Sequence, residues 1–311
     1  MKFYACNFLK AAVCAGSSAL LVLGTGGCIH ARPADLQATQ AAAEKGDAKA
    51  QYELGQCYGR GDGVPLDYAK AVEYFRKSAE QGYVYAQTDL GSYYARGVGV
   101  NKDLQEALKW YQKAAGRGDA LAQYCLGYAY AYGDGVSKDL DVAIRWWRKA
   151  GKKGQIDAQN ALGQLYLQGG TAHDTNYINY AESARWLRKA TDNGCLRSMN
   201  NLAYLYQNGL GVKLDLHQAV KWYRMAAQQG EPKAQGNLGV MYQDGAGVPQ
   251  DFVQAYKWFV LSAEQGDAIG KHFLQDYNLY PRLTAAQLAE AERLAAEFRA
   301  LRQTNHPAGP N

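Results

Sequence analysis

Apolar and small residues along most of this chain recur three and four positions apart, the spacing of one face of an α-helix. Ala122, Leu126 and Tyr130 follow this rhythm in one stretch, and Ala143, Trp146, Trp147 and Ala150 keep it in the next. Between two such stretches lies a glycine-rich connection: GRGDGV, ARGVGV, YGDGV, NGLGV or DGAGV. Glycine accepts the positive φ that ends a helix and reverses the chain. An aspartate then precedes the second stretch, as Asp67, Asp103, Asp139, Asp215 and Asp251. Its carboxylate is placed to accept hydrogen bonds from the free amides of a first helical turn. The pattern predicts antiparallel helix pairs.

The pairs repeat. Gly46, Gly82, Gly118, Gly154, Gly194, Gly230 and Gly266 each open a unit, at intervals of 36 residues except for 40 between Gly154 and Gly194. A leucine column runs Leu54, Leu90, Leu126, Leu162, Leu202, Leu238 and Leu274. Beside it stands a small residue, Gly55, Gly91, Gly127, Gly163, Ala203 and Gly239, which lets two helices approach closely. A tyrosine column (Tyr58, Tyr94, Tyr130, Tyr166, Tyr206, Tyr242) and a second-helix aromatic column (Tyr74, Trp110, Trp146, Trp186, Trp222, Trp258) complete the pattern. A fixed period of this length means a solenoid or array. One pair has too little apolar surface to fold alone, whereas stacked pairs share a core with their neighbours. Six full repeats occupy residues 46–265. Residues 36–45 look like the second helix of a missing preceding repeat, within an N-terminal linker and cap of residues 28–45. Residues 266–301 read as a degenerate repeat with a C-terminal cap helix, opened by a capping box of Thr284 with Gln287. Residues 302–311 are expected to be a disordered tail.

The motif AQYELGQCYGRGDGVPLDYAKAVEYFRKSAEQ, residues 50–81, recurs five more times and resembles the Sel-one-like repeat family, relatives of the tetratricopeptide repeat. The resemblance spans residues 46–265. It implies an all-α fold, a right-handed α-α superhelix or solenoid of antiparallel helix pairs, that binds proteins or peptides; it implies no activity. The fourth repeat departs from the family pattern, with GGTAHDTNYINYAES in place of the tight glycine turn. A disulfide-rich branch of the family ties each repeat with two cysteines. Cys125 matches one of those positions, but alanine holds the other, which excludes that branch.

Composition adds a destination. Lys2 and Lys10 give a basic start, and residues 11–27 carry no charge. Small residues dilute the apolar run below the roughly 20 apolar residues of a spanning helix, so residues 1–27 read as a signal peptide. The segment LGTGGC resembles the bacterial lipobox, with Cys28 as the lipidated residue, although Thr25 stands where that pattern usually has leucine. Ile29 rather than aspartate after Cys28 points to the outer membrane, facing the periplasm. Losing Lys2 and Lys10 takes the formal charge from +5 to +3, too mild to suggest nucleic acid. Cys57, Cys125 and Cys195 remain, an odd number without ligand partners at metal spacing. No metal or other cofactor is expected.

Candidate chemistry lies on another face of the first helices. Tyr124, Tyr128 and Tyr132 stand one turn apart, away from the leucine column. The same face carries Tyr52, Gln56 and Arg60; Tyr85, Thr88, Ser92 and Arg96; Asn160, Gln164 and Gln168; and Asn200, Tyr204 and Asn208. It varies between repeats while the core columns do not. Tyrosine and asparagine suit recognition of a peptide or partner helix, so Tyr52, Tyr85, Tyr124, Tyr128, Tyr132, Asn160, Gln164, Asn200, Tyr204 and Asn208 are the expected partner-binding residues. The competing reading is that these side chains fill space against the next repeat.

A basic row on the second helices, including Lys109, Lys113, Arg145, Lys149, Arg185 and Lys189, reads as a solvated face. Arg60-Gly61-Asp62 spells an adhesion tripeptide, but Tyr132-Gly133-Asp134 holds the same turn without it. The histidines are scattered and no nucleophile motif occurs, so no catalytic residue is expected. The expected function is an envelope scaffold or adaptor. The alternative is an accessory factor or enzyme acting on cell-wall or exopolysaccharide.

Overall fold

The structure is a computed structural model that describes residues 33–170, 175–275 and 283–305. Over these residues the chain forms fifteen α-helices and no strand. It divides into two compact units, residues 1–155 and 156–311.

The first unit contains α1 (Pro33–Glu44), α2 (Ala48–Arg60), α3 (Tyr68–Glu80), α4 (Val84–Arg96), α5 (Leu104–Gly116), α6 (Ala120–Tyr132) and α7 (Leu140–Lys152). Helices α2/α3, α4/α5 and α6/α7 are the pairs, and each packs on the next. Helix α1 packs on α2 as a second helix would. Its Ala43 carbonyl accepts the Gln51 amide at 3.1 Å, the bond that the carbonyls of Ala79 and Ala115 make with Gln87 and Gln123.

The second unit contains α8 (Ile156–Gln168), α9 (Tyr180–Asp192), α10 (Leu196–Asn208), α11 (Leu216–Gln228), α12 (Pro232–Asp244), α13 (Phe252–Glu264), α14 (Ala268–Gln275) and α15 (Ala285–Asn305). Its pairs are α8/α9, α10/α11 and α12/α13. Short α14 packs on α12 and α13, and α15 lies along α13 with Phe298 edge-on to Trp258. Leu274 is only half-buried there, unlike its six counterparts.

Local chemistry explains the helix ends. Asp67, Asp103, Asp139, Asp215 and Asp251 each accept a hydrogen bond from the amide three residues on. In the fourth repeat Asn179 does the same for Glu182. Gly133 ends α6 at φ 77°, a conformation other residues rarely adopt. Thr284 and Gln287 exchange hydrogen bonds at the start of α15, forming the reciprocal box. Helix α15 then runs past residue 301 to Asn305, so residues 302–305, which hold neither proline nor glycine, are helical where a disordered tail was expected. The remainder of that segment, and the whole of residues 1–32, lie outside the described residues.

The core is the leucine column with its partners. Leu54, Leu90, Leu126, Leu162, Leu202 and Leu238 are fully buried, each worth roughly 1.5–3 kcal/mol of burial. Against them lies a column at the register next to the tryptophans: Phe75, Tyr111, Trp147, Leu187, Tyr223 and Phe259, all buried. The small-residue column makes room for it. A Cβ on Gly55 would come 2.7 Å from the Phe75 ring, and one on Gly91 2.8 Å from the Tyr111 ring.

Candidate functional site

In the first unit the face opposite the leucines is carried by α2, α4 and α6. Tyr85 and Tyr132 are 58% and 40% exposed, while Tyr52, Tyr124 and Tyr128 are half-buried. The rings of Tyr128 and Tyr132 touch at 4.4 Å between centroids. Tyr52, Tyr83 and Tyr85 form a second group, with Tyr52 5.1 Å from Tyr83 and 6.3 Å from Tyr85. Within each group the rings lie against one another, and Tyr85 and Tyr132 stay exposed.

Polar groups link these rings across the repeat boundary. Gln56 donates to the Tyr52 hydroxyl at 2.6 Å. The Tyr52 hydroxyl in turn donates to the carboxylate of Asp89 on α4. Burial, reinforced by the Asp89 charge, holds the Tyr52 phenol well above its ordinary range. Burial likewise pushes Asp89 up to about 6, against the Tyr52 hydrogen bond and the positive charges of Arg60 and Arg96, which pull the other way. Tyr93 is raised to about 12, chiefly by burial and then by Asp89. Thr88 is buried, and its hydroxyl donates to Asp119 at 3.0 Å while Asp119 caps α6.

In the second unit Tyr204 is 44% exposed and Asn208 is exposed, with the Asn208 amide donating to the Tyr204 carbonyl at 2.8 Å. Gln164 is half-buried. Asn160 and Asn200 play a different part. The Ser198 hydroxyl donates to Asn160 Oδ1 at 2.8 Å, and the Asn237 amide donates to Asn200 Oδ1 at 2.9 Å. These two amides join successive repeats, and Asn200 is buried. The expected face therefore mixes ligand-accessible side chains with links between repeats. Sequence reading missed Asp89; its spacing of 37 residues from Tyr52, matched by Asn200 and Asn237, was the available signal.

The tyrosine column is structural. Arg76 and Arg224 donate to the hydroxyls of Tyr94 and Tyr242 at 2.5 and 2.9 Å, and Arg188 donates to Tyr206. The basic row is engaged as well. Lys113, Lys149 and Lys189 sit over the rings of Trp110, Trp146 and Trp186 at 3.9, 4.4 and 4.8 Å, and Lys109 and Arg185 pair with Glu106 and Glu182. An open cleft of about 310 Å³ lies on the second-helix side, lined by Val72, Glu73, Arg76, Lys77 and Val100. Of its charged groups, Glu73 pairs with Lys77 and Arg76 bonds the Tyr94 hydroxyl, and Glu80 also lines it.

Cys57, Cys125 and Cys195 take part in no disulfide. Among the described residues no group of three or more His, Cys, Asp or Glu side chains could hold a metal ion. No helix there is long and apolar enough to cross a membrane. Cys28, His30, His173, Asp174 and His306 lie outside the described residues.

The chain matches the Sel1 repeat family at residues 48–83, 84–119, 120–155, 156–195, 196–231 and 232–267. No curated protein matches it. Among solved structures it is similar to a Sel1 repeat protein from Oxalobacter formigenes, at 28% identity and a TM-score of 0.63 over 73% of this chain and 90% of that one. It is also similar to c5321, a protective antigen of uropathogenic Escherichia coli strains with an SLR fold, at 27% identity and a TM-score of 0.46 over 89% of this chain and 75% of that one. With six consecutive matches along a continuous series of helix pairs, the chain belongs to the Sel1 repeat family, whose repeats generally serve as scaffolds for protein–protein interaction.

Proposed function

We propose that this protein is a scaffold of the bacterial envelope, exported and anchored through a lipid on Cys28, that binds an extended peptide segment of a partner protein on its first-helix faces. The observation that carries this reading is the contrast between columns. Leu54, Leu90, Leu126, Leu162, Leu202 and Leu238 are invariant and buried, whereas the opposite face changes from repeat to repeat and exposes Tyr85, Tyr132 and Tyr204. Exposed phenols offer broad contact at low rotamer cost and a polar tip for peptide amides. Several weak contacts, one set per repeat within a unit, add along a bound segment. The lipid anchor and the outer-membrane location rest on LGTGGC and Ile29.

The test has two arms. Membranes are crosslinked with the intact protein and with Tyr85→Ala, Tyr132→Ala and Tyr204→Ala combined; these rings are exposed, so the variant is expected to fold. Loss of a specific crosslinked partner supports the reading, and an unchanged crosslinking pattern with a folded variant overturns it. Radiolabelled palmitate is expected to enter the intact protein and not Cys28→Ala; equal labelling of the two refutes the anchor.

A further inference from the structure

We propose that the cleft along α3 is a second docking site, which takes a short extended segment of a partner protein through an uncharged glutamine side chain. The repeats themselves show how such a side chain sits. Gln105, on the first turn of α5, donates its amide to the Gly135 carbonyl at 2.6 Å. His217, at the same register of α11, meets the Gly247 carbonyl through Nδ1 at 3.0 Å. Each stands thirty residues before its glycine, and both glycines are half-buried. Ala69 holds that register on α3, thirty residues before Gly99. Its methyl group has no hydrogen bond to give. Gly99 is exposed, and among the described residues no side chain reaches its carbonyl. Ala181 and Gly211 repeat the open arrangement in the second unit.

The cleft lies where the donor is lacking. It has a volume of about 310 Å³, and Ala69, Val72, Gly99 and Val100 are its uncharged lining. In the next repeat Gln105 and Leu108 stand where Ala69 and Val72 do. A Cβ on Gly135 would come 2.9 Å from Leu108 Cδ1, so the longer leucine fills space that valine leaves. A glutamine from a partner restores both parts: its stem lies on the two valines and its amide donates to Gly99. Charge selects against other donors. Glu73 pairs with Lys77 at 2.6 Å, Arg76 bonds the Tyr94 hydroxyl, and Glu80 completes the lining. Two carboxylates and two cations leave no net charge. A lysine or glutamate brought here gives up hydration without a net attraction to offset it, whereas an amide gives up less. From Ala69 to Glu80 the helix rises roughly 16 Å, the length of about five extended residues.

Capped peptides Ala-Ala-Gln-Ala-Ala, and the same peptide with leucine, glutamate or lysine at its centre, test this. Each is titrated into isotope-labelled full-length protein and followed by two-dimensional NMR. The glutamine peptide is expected to shift the amide signals of Gly99 and Val100. It is expected to bind about three- to tenfold more tightly than the leucine peptide, the contribution of one neutral hydrogen bond. The glutamate and lysine peptides are expected to bind no more tightly than the leucine peptide. Ala69→Gln places a resident amide at an exposed helix position and is expected to remove the glutamine preference. Gln105→Ala is expected to bring Gly135 into the response. Absence of shifts at Gly99 and Val100, equal binding of the glutamine and leucine peptides, or an undiminished preference in folded Ala69→Gln protein overturns the proposal. Tightest binding by the lysine peptide overturns it as well, since Glu80 would then be the recognised group. The crosslinking of the tyrosine variant reads the first-helix faces and decides the peptide-binding reading separately.

Discussion

Gly127 lies directly beneath the indole of Trp147: a Cβ at this position would come 2.5 Å from Nε1 and closer still to Cδ1. The indole N–H donates to the Tyr124 carbonyl on the same first helix, at 3.2 Å. Glycine is thus what allows α6 and α7 to pack this closely. Helix propensity alone would favour alanine by about 1 kcal/mol. Overpacking a buried contact costs about 1–3 kcal/mol. Gly127→Ala is therefore expected to lower stability in urea by up to about 2 kcal/mol. Gly116→Ala is the control, since nothing lies within 4 Å of its Cβ position; it is expected to be neutral or slightly stabilising.

A second prediction concerns a ladder with two missing rungs. Gln81 donates to Gln51 Oε1 at 2.7 Å, and Gln265 to Gln235 Oε1 at 2.8 Å, each across thirty residues. In the second and third repeats Arg117 and Lys153 occupy the donor position and reach instead to the carbonyls of Gly82 and Gly118. Gln87 Oε1 and Gln123 Oε1 are left buried without a partner. An unsatisfied buried acceptor costs about 1–3 kcal/mol, and the bonds given up are exposed. Arg117→Gln and Lys153→Gln are each expected to raise stability by about 0.5–1 kcal/mol, read as a rise in Tm by calorimetry. A fall in both would mean that the ties to Gly82 and Gly118 matter more.

These cases show which features the sequence reveals. The period, the caps at Asp67 through Asp251 and the box at Thr284 are visible because each depends on neighbours within a few residues or on strict recurrence. The fate of Asn160 and Asn200 is not. Position on a helix face does not say whether an amide meets solvent or the next repeat, and Ser198 and Asn237 decide that from another helix. The tryptophan column drew attention away from Phe75, Tyr111 and Trp147, one residue on. One residue is about 100° of helix, enough to turn a ring from the flank of the pair onto the leucine column. Asp89 was missed because its column changes character along the chain, holding Glu53, Cys125, Ala161, Asn201 and Asn237 in the other repeats.

Asp89 also gives stability a pH dependence. Its folded pKa, about 6, lies above the ordinary carboxylate value, chiefly because burial penalises the charge. The native state therefore binds the proton more tightly than the unfolded chain. The stability this contributes is full below about pH 4 and is lost as pH rises through about 6. Asp89→Asn removes the charge and leaves an amide oxygen to accept from Tyr52. It is expected to stabilise the protein by about 2 kcal/mol at pH 7.5 and by little at pH 4. Denaturation of both proteins at the two pH values checks this; equal effects at both would place the cost elsewhere.

The lysines of the second helices carry the last prediction. Lys113 stands 3.9 Å above the Trp110 ring, and Lys149 4.4 Å from that of Trp146. A cation over an indole is worth about 0.5–1 kcal/mol at an exposed site, and the aliphatic stem covers ring surface besides. A row built this way answers to the tryptophans beneath it rather than to an external polyanion. Lys113→Met keeps the stem and removes the charge, and is expected to cost about 0.5 kcal/mol. Lys113→Ala removes both and is expected to cost about 1 kcal/mol. Combining Lys113→Met with Lys149→Met is expected to leave sedimentation with anionic vesicles unchanged at low salt. If the double variant lost salt-sensitive vesicle binding while keeping its stability, the row would be a membrane-facing surface and the stacking incidental.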